Sequence, residues 1–404
     1  MPEDISLKQR AVRGVQWKSS STAITGALHL VQIAVLARIL SPRDFGLIAV
    51  VTVVTGLVQR FSDLGIGNAI IQQKDPTKGQ LSSLYWLMVA AGAVGTFIAA
   101  SATFLIRGAY GPSDLSGLIL LYAPGIVISS LGYQSSVLLQ KGLKFKRLAF
   151  IEISSASVGV GASIISALSG QGVYSFVWGY LSSSFVYSAL AVYIGRQWLP
   201  SLHFSRKDIS PFISFGLYQT GEKAADYLLS NMDKLLIGKL LGAEALGFYS
   251  VAFQLAVKPL TLITPVITGV SFPVFAMMQG DNARLKSAFL KVVEVLSLLN
   301  FPVYLGMLTV AKPLIEVIFG AGWAQSVPLF QIIVLFGFFI GINEPIGGLL
   351  LAKGRAALSF RLNLLYIPIY AGAVLIGSNW GIKGVCWGMV VAATALTQPV
   401  EFWL

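Results

Sequence analysis

VLARILSPRDFGLIAVV, residues 35–51, returns as LIGKLLGAEALGFYSVA at residues 236–252, with Arg38 matched by Lys239 and Gly46 by Gly247. The offset is 201 positions in a chain of 404 residues, so the likeness joins two halves, 1–200 and 201–404. Two more matches keep the same order: VLLQKG (137–142) with LLLAKG (349–354), and GQGV (170–173) with GIKGV (381–385). Chance likeness between apolar strings does not hold Gly, Lys and Arg in register, which argues for an internal repeat.

What surrounds the repeat is lipid-soluble. Hydrophobic residues make up 55% of the chain and charged ones 11%, with a mean hydropathy of +0.75, far from a soluble domain. Apolar stretches of about 20 residues recur along its length, as a hydrocarbon core of roughly 30 Å requires. Hydropathy predicts twelve spans, near 15–40, 44–64, 81–106, 116–140, 148–169, 172–195, 211–240, 246–275, 289–311, 326–352, 358–378 and 382–404. The fold class is therefore all-α, a multi-pass transmembrane bundle of two pseudo-symmetric six-helix lobes. Six spans per half is even, so both copies have the same orientation, related by an axis along the membrane normal. Little chain is left for a domain outside the membrane.

The net charge of +12 raises the question of nucleic acid, but the basic residues sit in short clusters between apolar runs and form no soluble basic face. Topology accounts for them instead. With a cytoplasmic N-terminus, twenty Lys and Arg fall in inside segments and seven outside, which fixes the orientation by the positive-inside rule and places both termini in the cytoplasm. Lys223 and Lys258 remain, and both fall within spans. The single Cys386 lies in an apolar run, two histidines do not make a metal cluster, and the polar start is not a removable signal peptide.

Polar residues inside the spans are the candidate site. Span 1 carries Lys18, Thr22, Thr25, His29 and Gln32, which step by four and three and share one helical face. Span 7 carries Gln219, Lys223, Asp226, Ser230 and Asp233, the same positions moved by 201, with Glu222 and Lys234 beside them. Ionisable groups at membrane depth cost several kcal/mol unless they face protein or water, so two such faces imply a hydrated cavity. A purely structural role is the alternative: Glu222 and Asp226 are one helical turn apart, Lys223 is in reach of a neighbour, and His29 fits a packing role as well as a proton carrier. Lys258-Pro259 and Glu344-Pro345 interrupt spans 8 and 10, where proline bends a helix and frees a carbonyl. The repeat mate of Lys258 is the apolar Leu57. Burial would lift a carboxyl toward neutral pH, which makes Glu344 the first candidate for ion coupling, then Asp226, with Asp233 and Glu222 as further candidates. No phosphate-binding loop, HExxH or GxSxG string occurs, so ATP hydrolysis and hydrolase chemistry are not expected, and the chain is not read as an enzyme.

GVQWKSSSTAITGALHLVQIAVLARILSPRDFGLIAVV, FSDLGIGNAIIQQ and NMDKLLIGKLLGAEALGFYSVAFQLAVKPL resemble the polysaccharide-transporter branch of the multidrug, oligosaccharidyl-lipid and polysaccharide exporter superfamily. Within it the similarity is to lipid-linked oligosaccharide flippases of the colanic-acid-exporter type, and it covers essentially the whole chain. The resemblance implies two lobes rocking about a cavity lined by helices 1 and 7, moving an undecaprenyl-diphosphate-linked oligosaccharide across a bacterial inner membrane. It implies an ion gradient, of protons or sodium, rather than a cofactor, and a polysaccharide polymerase or assembly machinery as a partner. In that frame Lys18, Lys223 and Lys258 balance the diphosphate, with His29 and Gln32 beside them, and Trp17 and Tyr227 can stack on sugars. Members often continue for two further spans, so the resemblance also implies that a chain stopping at Leu404 is a shortened product. The competing functions are a multidrug or cation antiporter of the same superfamily, which calls for an acid-dominated cavity, and an enzyme of surface-polysaccharide assembly, which calls for a long outer loop.

Overall fold

The computed structural model describes residues 7–403 apart from Lys74, 111–113, Gln197, Glu344 and Gly354. Among the described residues there are helices and no strands, as expected where no water is present to satisfy a sheet edge. By contacts the chain divides into two compact units. The first holds residues up to Ser41 and Val50–Leu228, and the second Pro42–Ala49 and Leu229–Leu404.

The first unit contains α1 (Leu7–Ala37), most of α2 (Pro42–Ser62), α3 (Ile66–Gln72), α4 (Lys78–Tyr110), α5 (Leu115–Tyr122), α6 (Pro124–Lys141), α7 (Phe145–Leu168), α8 (Tyr174–Ile194) and α9 (Arg206–Leu229). Because lipid is as apolar as leucine, its helices associate through close packing of small side chains and polar bonds. Gly159 and Ser163 of α7 face Gly179 and Ser183 of α8 in this way. Near the ends of α3, α4 and α9, Ile66, Ile70, Leu84, Met88 and Phe212 form an apolar core.

The second unit contains α10 (Met232–Ala256), α11 (Lys258–Met277), α12 (Asn282–Thr309), α13 (Ala311–Phe319), α14 (Ser326–Asn343), α15 (Pro345–Ala352), α16 (Ala356–Gly377) and α17 (Gly381–Trp403). The opening turns of α2 belong here. Phe45 packs edge-on against the buried Trp323 at 5.0 Å, and Phe248 meets the same ring at 5.8 Å. Aromatic pairs of this kind contribute about 0.5–1.5 kcal/mol beyond their burial. Beside them the repeat closes on itself: a Cβ on Gly46 would lie 1.7 Å from the Ala243 carbonyl oxygen, and one on Gly247 would lie 1.7 Å from that of Pro42. Positions 42 and 243 are themselves 201 apart, so the contact has the symmetry of the duplication.

Ten segments are long and apolar enough to cross a membrane among the described residues. Several of the twelve expected spans are cut more finely than hydropathy suggests. The boundary expected between 240 and 246 is a break at Gly242, whose φ of 88° and ψ of 171° only glycine adopts readily. Span 7 is also interrupted at Ser230 and Asn231, and span 8 at Val257, just before Lys258 and Pro259. Ser and Asn side chains compete with helical hydrogen bonds, and Pro259 restarts a helix where its missing N–H costs nothing.

Candidate functional site

Two residues of the span 1 stripe, Lys18 and Gln32, are tied to α7. The Lys18 Nζ donates to Glu152 Oε1 at 2.5 Å, and the Ser21 hydroxyl donates to the other oxygen of the same carboxylate. Three turns on, Gln32 Nε2 donates to the Ser163 hydroxyl at 2.8 Å, and His29 Nδ1 lies 3.2 Å from Gln32 Oε1. Thr25 bonds back to the Ser21 carbonyl. Trp17 is occupied on one face, where the Lys146 ammonium sits 5.6 Å from the ring centroid. Glu152 escapes a search for repeated stripes because its helix carries no second charge in phase with it. Its signal is an acid in an otherwise apolar span that already demands a partner.

The span 7 stripe does not form one continuous face. Leu229 ends α9, so Lys223 and Asp226 lie on one helix and Asp233 on the next; the side chains of Gln219 and Glu222 lie outside the described residues. Lys223 is half-buried and Asp226 exposed. The charges of Lys223 and Arg60 both act on the carboxylate of Asp63. That acid sits in the turn between α2 and α3, held by Leu64 at φ 47°, a left-handed backbone that costs a leucine roughly 1–2 kcal/mol. Arg60 stacks over the Tyr227 ring at 5.4 Å, and the Tyr227 hydroxyl donates to the Thr52 carbonyl at 3.0 Å.

Asp63 lines a cavity of about 30 Å³ with Gln59, Ser62, Ser129, Ser130 and Tyr133, room for a single water. The three serine hydroxyls donate to carbonyls of their own helices, so their lone pairs are left as acceptors. Arg60 and Asp63 were legible only as a topology charge and as part of a family string. Arg60 and Lys223 are thus the two cations whose charges bear on Asp63.

In the second unit Asp233 is buried. The Tyr249 hydroxyl donates to its Oδ2 and also lies 3.2 Å from Met389 Sδ, while Oδ1 has no partner among the described residues. Lys234 turns away, donating to Asn231 Oδ1 at 2.6 Å and lying over the Phe253 ring. Lys258 is half-buried in the first turn of α11. Glu344 lies outside the described residues. No group of three His, Cys, Asp or Glu side chains able to hold a metal occurs among those described.

A family model described as "Polysaccharide biosynthesis protein" matches residues 35–328. The lipopolysaccharide biosynthesis protein WzxC of Escherichia coli (strain K12) is 34% identical over 389 residues, covering 96% of this chain and 79% of the relative. The teichuronic acid biosynthesis protein TuaB of Bacillus subtilis (strain 168) is 34% identical over 357 residues, 88% of this chain and 74% of the relative. Among solved structures, the inward closed conformation of the lipid II flippase MurJ superposes with a TM-score of 0.74 at 14% identity, over 96% of this chain and 87% of that one. At that identity the likeness is one of fold.

Proposed function

The chain belongs to the polysaccharide biosynthesis protein family, and from that premise we propose that it carries an undecaprenyl-diphosphate-linked oligosaccharide from the cytoplasmic to the outer leaflet of a bacterial inner membrane. It does so by alternating access of its repeat halves, 1–200 and 201–404, with both termini in the cytoplasm, and hands its cargo to a polysaccharide polymerase or assembly machinery. The observation that carries the proposal is charge kept where lipid would reject it: Lys18, Arg60, Asp63, Glu152 and Lys223, on or beside helices otherwise apolar.

Arg60 and Lys223 outnumber Asp63, which suits a diphosphate better than the cationic drugs of an antiporter. Low local dielectric makes each contact worth far more than in water. Lys258 supplies a third cation on the other side of the Gly242 break. Lys18, His29 and Gln32 are already engaged with α7 or with each other, so their part is to join the substrate by exchanging partners. A proton or sodium gradient drives the cycle, coupled through Glu344 first and then Asp226, with Asp233 and Glu222 as further candidates.

Proteoliposomes holding the full chain and a fluorescent undecaprenyl-diphosphate oligosaccharide should expose the label on the far leaflet, faster under an imposed proton or sodium gradient. Exposure no greater than in protein-free vesicles, with a lipophilic cation moved instead, would overturn the assignment.

A further inference from the structure

The VLLQKG and LLLAKG copies carry equivalent lysines with different fates. Lys141 donates to the carbonyls of Ile70 and Gln73, closing the end of α3. Lys353 makes no such bond among the described residues and instead lines a groove of about 440 Å³ beside the first turns of α12. Lys286 stands at the same mouth, and Phe289, Leu290, Val293 and Leu349 form the walls. Beneath them lies an apolar core of Phe275, Leu285, Leu349 and Ala352. A second hollow of about 400 Å³ continues along α12 past Lys291 and Glu294. None of Lys286, Lys291 and Lys353 is ion-paired with a described residue. The helix end itself is not the attraction, because the Asp281 carboxylate already accepts from the Ala283 and Arg284 N–H groups.

A volume in the range of small-molecule sites, cationic at one end and apolar along its length, demands an amphipathic anion. The apolar wall merges with a side of α12 whose Leu290 and Leu298 are 54% and 72% exposed, the surface that lipid covers in a spanning helix. A soluble anion would leave that wall uncovered, and a neutral lipid would leave the lysines unmatched. We propose that the groove between α12 and α15 is a binding site for an anionic phospholipid of the surrounding leaflet, its phosphate on Lys286 and Lys353 and the start of one acyl chain against Phe289, Val293 and Leu349. On the orientation proposed above this is the cytoplasmic leaflet, but the site is tested without reference to sidedness or transport.

The full chain in phosphatidylcholine nanodiscs is titrated with acyl-labelled phosphatidylglycerol. A lysine near a headgroup contributes about fivefold in affinity, so Lys286→Gln with Lys353→Gln should weaken binding by roughly 25-fold. Val293→Trp, which fills the groove and leaves every charge in place, should abolish it. Circular dichroism and gel filtration confirm that each variant is folded. Parental affinity in the double lysine variant, or equal binding of labelled phosphatidylcholine, overturns the proposal. Undiminished binding in folded Val293→Trp reduces the site to surface charge and overturns it too. So does full competition by inorganic phosphate, which would mark a free-anion site, or by undecaprenyl diphosphate at far lower concentration, which would mark a substrate site.

Discussion

Helix α1 runs unbroken from Leu7 to Ala37, whereas its copy is cut into α9 and the first part of α10 by the turn at Ser230 and Asn231. The two copies began with the same polar positions, and the differences between them come in matched sets. Lys18 pairs with Glu152 in the first half; at the offset of 201 the cation becomes Gln219, and at the offset of 212 set by VLLQKG and LLLAKG the acid becomes Leu364. Cation and counter-charge are both absent from the second copy, as the cost of leaving either one alone in lipid requires. In the other direction Gln32 becomes Asp233 and Ile48 becomes Tyr249, an acid and the hydroxyl that bonds it. Duplication kept the skeleton and reassigned its polar positions in compensating pairs.

The sharpest way to break this picture is at the glycine contact. Gly46→Val and Gly247→Val each drive a side chain into a backbone carbonyl, which no rotamer relieves, so both should cost more than the roughly 1–3 kcal/mol of ordinary overpacking and leave little folded protein by fluorescence-detected gel filtration. Equal losses support the symmetry. A loss confined to one glycine breaks it.

Next in size is substrate affinity. A charge-assisted phosphate contact contributes roughly 1.5–3 kcal/mol, so Lys223→Gln and Lys258→Gln should each weaken binding of lipid-linked oligosaccharide by about tenfold to a hundredfold, with Arg partly rescuing. Lys18→Gln should do less, because the ion pair it leaves is exposed, and adding Glu152→Gln should restore part of its loss. If the Lys223 and Lys258 variants transport like the parent at equal expression, those lysines are structural.

Asp233→Asn should remove the dependence of transport on an imposed gradient while leaving substrate binding in place. An unchanged gradient response in proteoliposomes would move coupling to another acid. Smallest is Tyr249→Phe, which deletes one hydrogen bond to that carboxylate and should lower stability by about 1.5–3 kcal/mol, read as a drop in thermal midpoint.

The helical architecture was legible because a spanning helix writes its length into the sequence, and the contact of Gly46 with Ala243 because glycine writes close approach. The expectation of polar interruption at Lys258-Pro259 is met by a helix boundary, since proline acts through its own covalent structure, whereas Glu344 lies outside the described residues. Less was legible of the site. Stripes predict faces on an unbroken helix, and Ser230-Asn231 breaks one of them. Glu152, Arg60 and Tyr249 matter through partners more than a hundred residues away or on another helix, or through a fold of the chain that no local pattern encodes.

The eight residues Pro42–Ala49 are counted with the later half of the chain. A gene cut at the repeat boundary would thus yield a first product still carrying the peg and a second left with the empty socket beside Gly247 and Trp323. Reconstituting the protein from two fragments should succeed only when they are made together in one membrane.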